Sequence, residues 1–186
     1  MTYVGPKRRA TCAICNKRRN RKWLEAQRQK RLDERCRRMA ARSSPPRQVC
    51  VWTAGYFEGE GTITIRAGGR RGWPRPNVSM VSTDKHVIDY FQAHWPGQIY
   101  SHTPKSPNGV AREAHRWYLQ SNDACEGFLL DIRPYLTTRR VRVKADLLLE
   151  EIRDRVRYER GDAAKRRSWA RLRRIRELNR RGVRGT

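Results

Sequence analysis

Hydrophobic residues recur with two different periods along the middle of this 186-residue chain. From Val51 to Phe57 a short apolar run, interrupted by Ala54 and Gly55, is long enough for about two helical turns. It ends in Glu58-Gly59-Glu60-Gly61. Beyond that, Thr62, Ile63, Thr64 and Ile65 alternate polar and apolar, as a half-buried strand does. A helix therefore runs into a strand through a tight corner. Gly59 and Gly61 suit such a corner because glycine tolerates backbone angles that other residues resist.

The same reading extends down the chain. A strand from Thr62 to Arg66, a loop of glycine, arginine and proline, and a strand from about Asn77 to Ser82 predict a hairpin. Period-two parity puts Ile63, Ile65, Val78 and Met80 on one face, and Thr62, Thr64, Arg66, Asn77 and Ser79 on the other. Asp84 is placed to cap a helix from Lys85 to His94 with Val87, Ile88 and Phe91 inward, and Pro96-Gly97 ends it. Strands follow at about Gln98 to His102 and Arg112 to Gln120, joined by a segment dense in turn formers. Ile99, Trp117 and Leu119 are expected inward, which leaves Gln98, Tyr100, His102, Arg112, Arg116, Tyr118 and Gln120 on the opposite face. Asn122-Asp123 open a helix running to about Leu136 with Phe128, Leu129 and Ile132 apolar. Another begins near Arg140, with Val143, Leu147, Leu148, Ile152 and Val156 at helical spacing. The order is helix, two strands, helix, two strands, helix, helix, an α+β arrangement.

The two ends of the chain read differently. Residues 1 to 48 are dominated by charge, and Lys17 to Arg42 contains good helix formers with only Trp23, Leu24, Leu32 and Met39 to bury. A basic arm lying on phosphates and a solvated charged tail both fit this composition. Ser43-Ser44-Pro45-Pro46 breaks the chain before the central helix. Ala163 to Arg181 is again basic and helix-prone. The expected division is a basic N-terminal arm (1 to 48), a central domain (49 to 160) and a basic C-terminal helical tail (161 to 186).

Charge narrows the partner. The formal net charge is +25 with only 37% hydrophobic residues, which favours a polyanion, nucleic acid first. No membrane-surface stripe, bilayer-length apolar run or signal h-region is read from the sequence, so a location in the cytoplasm or an organelle, at the DNA, is expected rather than secretion. Five cysteines without a secretory signal favour free thiols over disulfides. Cys12 and Cys15 form half of a zinc-ribbon pattern, but Cys36 and Cys50 are isolated, so unpaired cysteines are favoured over zinc.

The corner carries the candidate chemistry. Glu58 and Glu60 fall at a helix C-terminus, where the macrodipole is negative and carbonyls are unpaired. Carboxylates there call for a cation, and with free carbonyls they make hard oxygen ligands of the kind Mg2+ takes. Thr53 to Gly61, reading T-A-G-Y-F-E-G-E-G, resembles the nine-residue motif of the LAGLIDADG homing endonucleases. Pro134-Tyr135-Leu136, the basic residues after it, and Ala145-Asp146-Leu147-Leu148-Leu149-Glu150 resemble that family's closing segment, so the resemblance spans about residues 49 to 155. Thr53 departs from the usual leucine.

The resemblance implies an αββαββα fold around a four-stranded antiparallel sheet, and a site-specific DNA endonuclease that uses Mg2+. On this chain it implies Glu60 as the metal-binding carboxylate, with Gly59 beside it. The basic residue near the active site would be Arg139 or Arg140, or Lys144 if the spacing slips. Arginine there would be an electrostatic clamp rather than a proton carrier. A single motif implies a homodimer through Trp52, Thr53, Ala54, Gly55, Phe57 and Glu58, where Ala54 and Gly55 let two helices approach. The polar sheet face implies DNA contacts from Thr62, Thr64, Arg66, Arg70, Arg71, Arg75, Asn77, Ser79, Gln98, Tyr100, His102, Arg112, Arg116, Tyr118 and Gln120. The alternative is a protein of this family without nuclease activity, acting as an RNA maturase or a DNA-binding regulator. A non-specific nucleic-acid coat fits the ordered central pattern poorly.

Overall fold

The computed structural model describes residues 13–66, 74–103, 112–157 and 161–180. Cys12, Arg70 and Arg71, and the side chains of Cys15 and Val156, lie outside what is described. The chain divides into two units, Met1–Arg42 and Ser43–Thr186. The first contains one helix, α1 (Ala13–Ala40), with Trp23 and Leu24 exposed. Its polar composition gives it little to bury, and spaced pairs such as Arg21 with Glu25 support it along its own length.

In the second unit, helix α2 (Arg47–Glu60) runs directly into strand β1 (Gly61–Arg66). Strand β2 (Arg75–Ser82), helix α3 (Lys85–His94), strand β3 (Gln98–His102), strand β4 (Ala114–Leu119) and helix α4 (Asn122–Ile132) follow. One 3-10 turn, Arg133–Tyr135, leads to α5 (Arg139–Arg157), and α6 (Asp162–Arg180) comes last. Asp84 caps α3 by accepting the His86 amide, as the sequence predicts. The cap of α4 is Ser121, one residue earlier than expected, which accepts from the Ala124 amide.

The sheet is four-stranded and antiparallel in the order β1-β2-β4-β3. Residues opposite one another share a face, so the register fixes two rows of side chains. Ile63, Val78 and Leu119 form a buried row toward the helices. Met80 and Trp117 form another with Ile99, but Ile99 is 44% exposed rather than inward: of the two edge strands, β1 is covered by α5 and α6, whereas all residues of β3 are exposed. Under the sheet, Phe57, Phe91, Trp117 and Phe128 meet edge-on or tilted, with centroids 5.1 to 5.2 Å apart for Phe57–Phe128, Phe91–Trp117 and Trp117–Phe128. Each such buried ring contributes roughly 1.5–3 kcal/mol through area removed from water.

Two expectations are corrected in the last helices. In α5 the buried positions are Val141, Lys144, Ala145, Leu148, Leu149, Glu151 and Ile152, so the buried face takes in Lys144 while Val143 is only half-buried. Helix α6 is not a tail outside the core. Leu172 and Ile175 are fully buried in the same cluster as the sheet's apolar face, and the helix packs on α5 and β1. The buried Glu151 carboxylate fastens this packing, accepting from Ser168, Arg155 and Arg171. All these partners are needed, because a buried carboxylate without them would be strongly unfavourable.

Candidate functional site

Helix α2 delivers two carboxylates to one corner and sends them in different directions. Two residues apart on a helix means a rotation of about 200°, so Glu58 and Glu60 cannot share a face. Glu58 turns toward α5: its carboxylate accepts the Thr137 hydroxyl at 2.6 Å and the Thr138 amide at 2.6 Å. The Thr138 carbonyl accepts from Arg142, so Thr138 begins the helix and Glu58 sits on its positive end. Burial pushes the Glu58 carboxyl up, but the bonds from Thr137 and Thr138 outweigh it and hold it below the usual carboxylate range. The expectation that both acidic residues need a cation is therefore corrected for Glu58, whose counter-charge is a helix N-terminus of its own chain.

Glu60 is the last residue of α2 and is exposed. Gly59 beside it and Gly55 one turn earlier are also exposed, and a Cβ at either would meet nothing within 4 Å. Gly61 differs. A Cβ there would lie 2.3 Å from the Phe57 ring, so Gly61 is required by close approach. Its backbone is extended, at φ −81° and ψ 151°, and does not need glycine's freedom.

The expected helix interface splits in two. Trp52 and Gly55 face outward together with Val51, whereas Thr53, Ala54 and Phe57 are buried in their own chain and Glu58 is engaged by α5. Ala54 belongs to the core of its own chain. Trp52 packs edge-on against Tyr90 of α3 at 4.7 Å and stacks on Tyr56 at 5.3 Å.

An exposed carboxylate beside the carbonyls of a helix end is a donor set that suits a hard cation. Among the described residues, no group of three or more His, Cys, Asp or Glu side chains is placed to hold a metal ion. Of the described groups at this corner, the Glu60 carboxylate and the Gly59 carbonyl are the ones whose chemistry could hold a hard cation.

The candidate basic residues occupy three environments. Arg139 is exposed at the start of α5. Arg140 is half-buried, and its Nε is buried without a partner among the described residues. Lys144 is 5% exposed and donates from Nζ to Asn179 Oδ1 of α6 at 3.0 Å. Burial, and then the nearby Arg140 guanidinium, push the Lys144 amine below the ordinary lysine range. Asn179 in turn directs Nδ2 at the Ile63 carbonyl of β1, at 3.5 Å.

On the open face of the sheet, Thr62, Ser79, Tyr118 and Gln98 form one row across all four strands. Val81, Arg116 and Tyr100 form the next, and Thr64 lies opposite Asn77. Thr62, Arg66, Arg75, Gln98, Tyr100 and His102 are exposed. Tyr100 stacks on His102 at 5.8 Å, and the Arg66 guanidinium lies 6.0 Å from the centre of the Tyr118 ring. Two expected surface residues are corrected: Asn77 and Ser79, on the central strand β2, are 2% and 1% exposed. Both sit on an inner strand of the sheet, and Asn77 Oδ1 is left without a bond partner among the described residues. Arg112 and Gln120 are exposed just beyond the ends of β4, which is shorter than expected.

Thr137, Thr138 and Asn179 are the site residues that sequence reasoning misses. The threonines precede a helix and read as ordinary start residues. Asn179 carries no signal at all within a basic helix.

Several solved structures share this architecture. The homing endonuclease I-CvuI in complex with its target superimposes with a TM-score of 0.56 at 17% identity, over 71% of this chain and 82% of that one. An archaeal intron-encoded homing endonuclease, I-Vdi141I, complexed with DNA, gives 0.52 at 15% identity over 74% of this chain and 86% of that one. The LAGLIDADG meganuclease I-AabMI, bound to uncleaved DNA, gives 0.53 at 12% identity over 67% of this chain, which spans 43% of that longer one. No family model matches the sequence, and no curated protein matches it. The fold of the chain is that of the LAGLIDADG homing endonucleases.

Proposed function

We propose that this chain is a site-specific endonuclease that hydrolyses phosphodiester bonds in double-stranded DNA, as a homodimer and with Mg2+. The observation that carries the reading is the separation of the two motif carboxylates. Glu58 is consumed in holding α2 to α5, while Glu60 stands exposed at the corner where the polar sheet face begins. Proteins of the same fold solved on DNA support duplex DNA as the partner. The net charge of +25 supports it independently.

The outward glycines support a second copy as the missing neighbour. An exposed glycine inside a helix is less favourable than alanine by about 0.8–1 kcal/mol, and nothing among the described residues requires Gly55 or Gly59. A partner helix lying against that face would. Two copies of α2 side by side would bring two Glu60 carboxylates together, whose mutual repulsion makes a cation site. Mg2+ held there by Glu60 and the Gly59 carbonyl would supply Lewis acidity to phosphate oxygens and a water of lowered pKa.

The rest is done by the chain's own groups. The sheet face presents Thr62, Gln98, Tyr100 and Tyr118 to base edges, and Arg66, Arg75 and Arg116 to acceptors or phosphates. Lys144, held down by its surroundings, is a group able to carry a proton near the phosphate, which Arg139 and Arg140 are not. Such an enzyme would work in the cytoplasm or an organelle, wherever its DNA is. The test is to incubate the purified chain with a plasmid carrying the chain's own genomic flanks joined together, and to map the ends. A single discrete site of cutting on both strands is expected. Binding without cutting would favour a regulator or an RNA maturase.

A further inference from the structure

We infer that Asn179 of the C-terminal helix α6 is a positioning residue for Lys144, so that α6 is a working part of the cleavage centre. The inference rests on the nuclease reading above, and it adds a residue and a helix to it.

Three elements meet at this asparagine. Lys144 comes from the buried face of α5, Asn179 from the last turn of α6, and the Ile63 carbonyl from β1. Ile63 lies three residues past Glu60, or about 10 Å of extended chain. The asparagine amide is suited to this place because it is bipolar: its oxygen accepts from the ammonium while its nitrogen donates to the strand. Leucine would pack α6 equally well and leave a buried ammonium without an acceptor, which is strongly unfavourable.

Among the described residues, no carboxylate is paired with Lys144. Arg140, one turn earlier on α5, is the charged group that acts on it, and it is a cation. From α6 the group that faces it is Asn179, and from β1 it is the Ile63 carbonyl behind that amide. The buried carboxylate between α5 and α6, Glu151, is already taken by Ser168, Arg155 and Arg171, two turns farther along. A neutral acceptor fixes where Nζ sits and leaves its charge easy to lose. A carboxylate in the same position would fix the place and lock the charge on.

The test compares wild type with Asn179→Asp, Asn179→Ala and, as a packing control, Leu172→Ala, all in the full-length chain. The substrate is the rejoined-flank plasmid. Single-turnover cutting is followed from pH 6 to 10, DNA affinity by titration, and the Lys144 amine by NMR of lysine-labelled protein, assigned through its loss in Lys144→Arg. Asn179→Asp should raise the Lys144 midpoint and move the cutting profile to higher pH by the same amount, with affinity unchanged. Asn179→Ala should slow single-turnover cutting at least about tenfold at unchanged affinity. Leu172→Ala should lower thermal stability yet cut at close to the wild-type rate once folded. A Lys144 midpoint that moves while the cutting profile stays put overturns the inference and leaves the nuclease reading intact. Equal slowing by Leu172→Ala and Asn179→Ala also overturns it, reducing Asn179 to a packing role. A wild type that binds this DNA and never cuts overturns the nuclease reading itself, and the inference with it.

Discussion

The Glu58 carboxylate accepts the backbone amide of Thr138 at 2.6 Å, across 80 residues of sequence. The bond ties the negative end of one helix to the positive end of another, so each carries the other's counter-charge. It also explains why a motif with two acidic residues offers one free carboxylate to a ligand.

Removing that tie should loosen the corner. Glu58→Ala loses two charge-assisted bonds, and the protein should be destabilised by about 1–3 kcal/mol, with Glu58→Gln losing less. The folded carboxyl is held below its ordinary value, so its contribution is fully present above the unfolded pKa and is lost as pH falls through the lower folded one. Wild type should therefore lose stability on acidification below about pH 4.3. Glu58→Gln should lose less over the same window, as chemical denaturation at a series of pH values would read.

The glycines of α2 and β1 should respond oppositely. Gly61→Ala forces a methyl group into the Phe57 ring and should lower stability by about 1–3 kcal/mol. Gly55→Ala, with open space around it, should leave the fold intact or stabilise it slightly. Gly55→Leu should keep the fold and abolish the proposed dimer, which sedimentation would detect. A dimer unchanged in Gly55→Leu would exclude α2 as its interface.

Lys144 offers a case where stability and activity part. Its buried amine is under pressure to lose its charge, so Lys144→Met should leave thermal stability unchanged within a few degrees or raise it. Cutting should fall at least about 100-fold. A large loss of stability with cutting preserved would make Lys144 a structural residue.

The two ends of the chain should also separate. Deleting residues 1–42, a unit of its own, should flatten the salt dependence of DNA binding and leave target preference in place. Truncation before α6 should unfold the second unit instead, because Leu172 and Ile175 belong to its core. Circular dichroism on both truncations distinguishes these outcomes.

Much of this was legible because local signals agreed with the fold. The limits of α3 and β3 follow from Asp84, Pro96 and strict alternation, and Ile63, Ile65, Val78 and Met80 are buried as their parity requires. Parity alone could not place Ile99, because β1 and β3 are both sheet edges and which edge the helices cover is a non-local property: α5 and α6 lie on β1 and leave β3 exposed. Asn77 and Ser79 were missed for the same reason, being on a central strand. The basic residues of α6 masked two core side chains spaced at one helical turn. The resemblance singles out Glu60 over Glu58 in sequence, but that Glu58 is held by Thr137 and Thr138 shows only once α5 is in place.

That separation is the central claim, and cutting by wild type, Glu60→Gln and Glu58→Gln on the rejoined genomic flanks, with and without Mg2+, tests it most directly. Glu60→Gln keeps the shape and removes the charge, so cutting should fall by about a hundredfold or more while DNA binding holds or tightens. Glu58→Gln should lower stability and keep most of the cutting in protein that remains folded. Equal cutting by wild type and Glu60→Gln, with loss in Glu58→Gln, would contradict the assignment and exchange the roles of the two carboxylates.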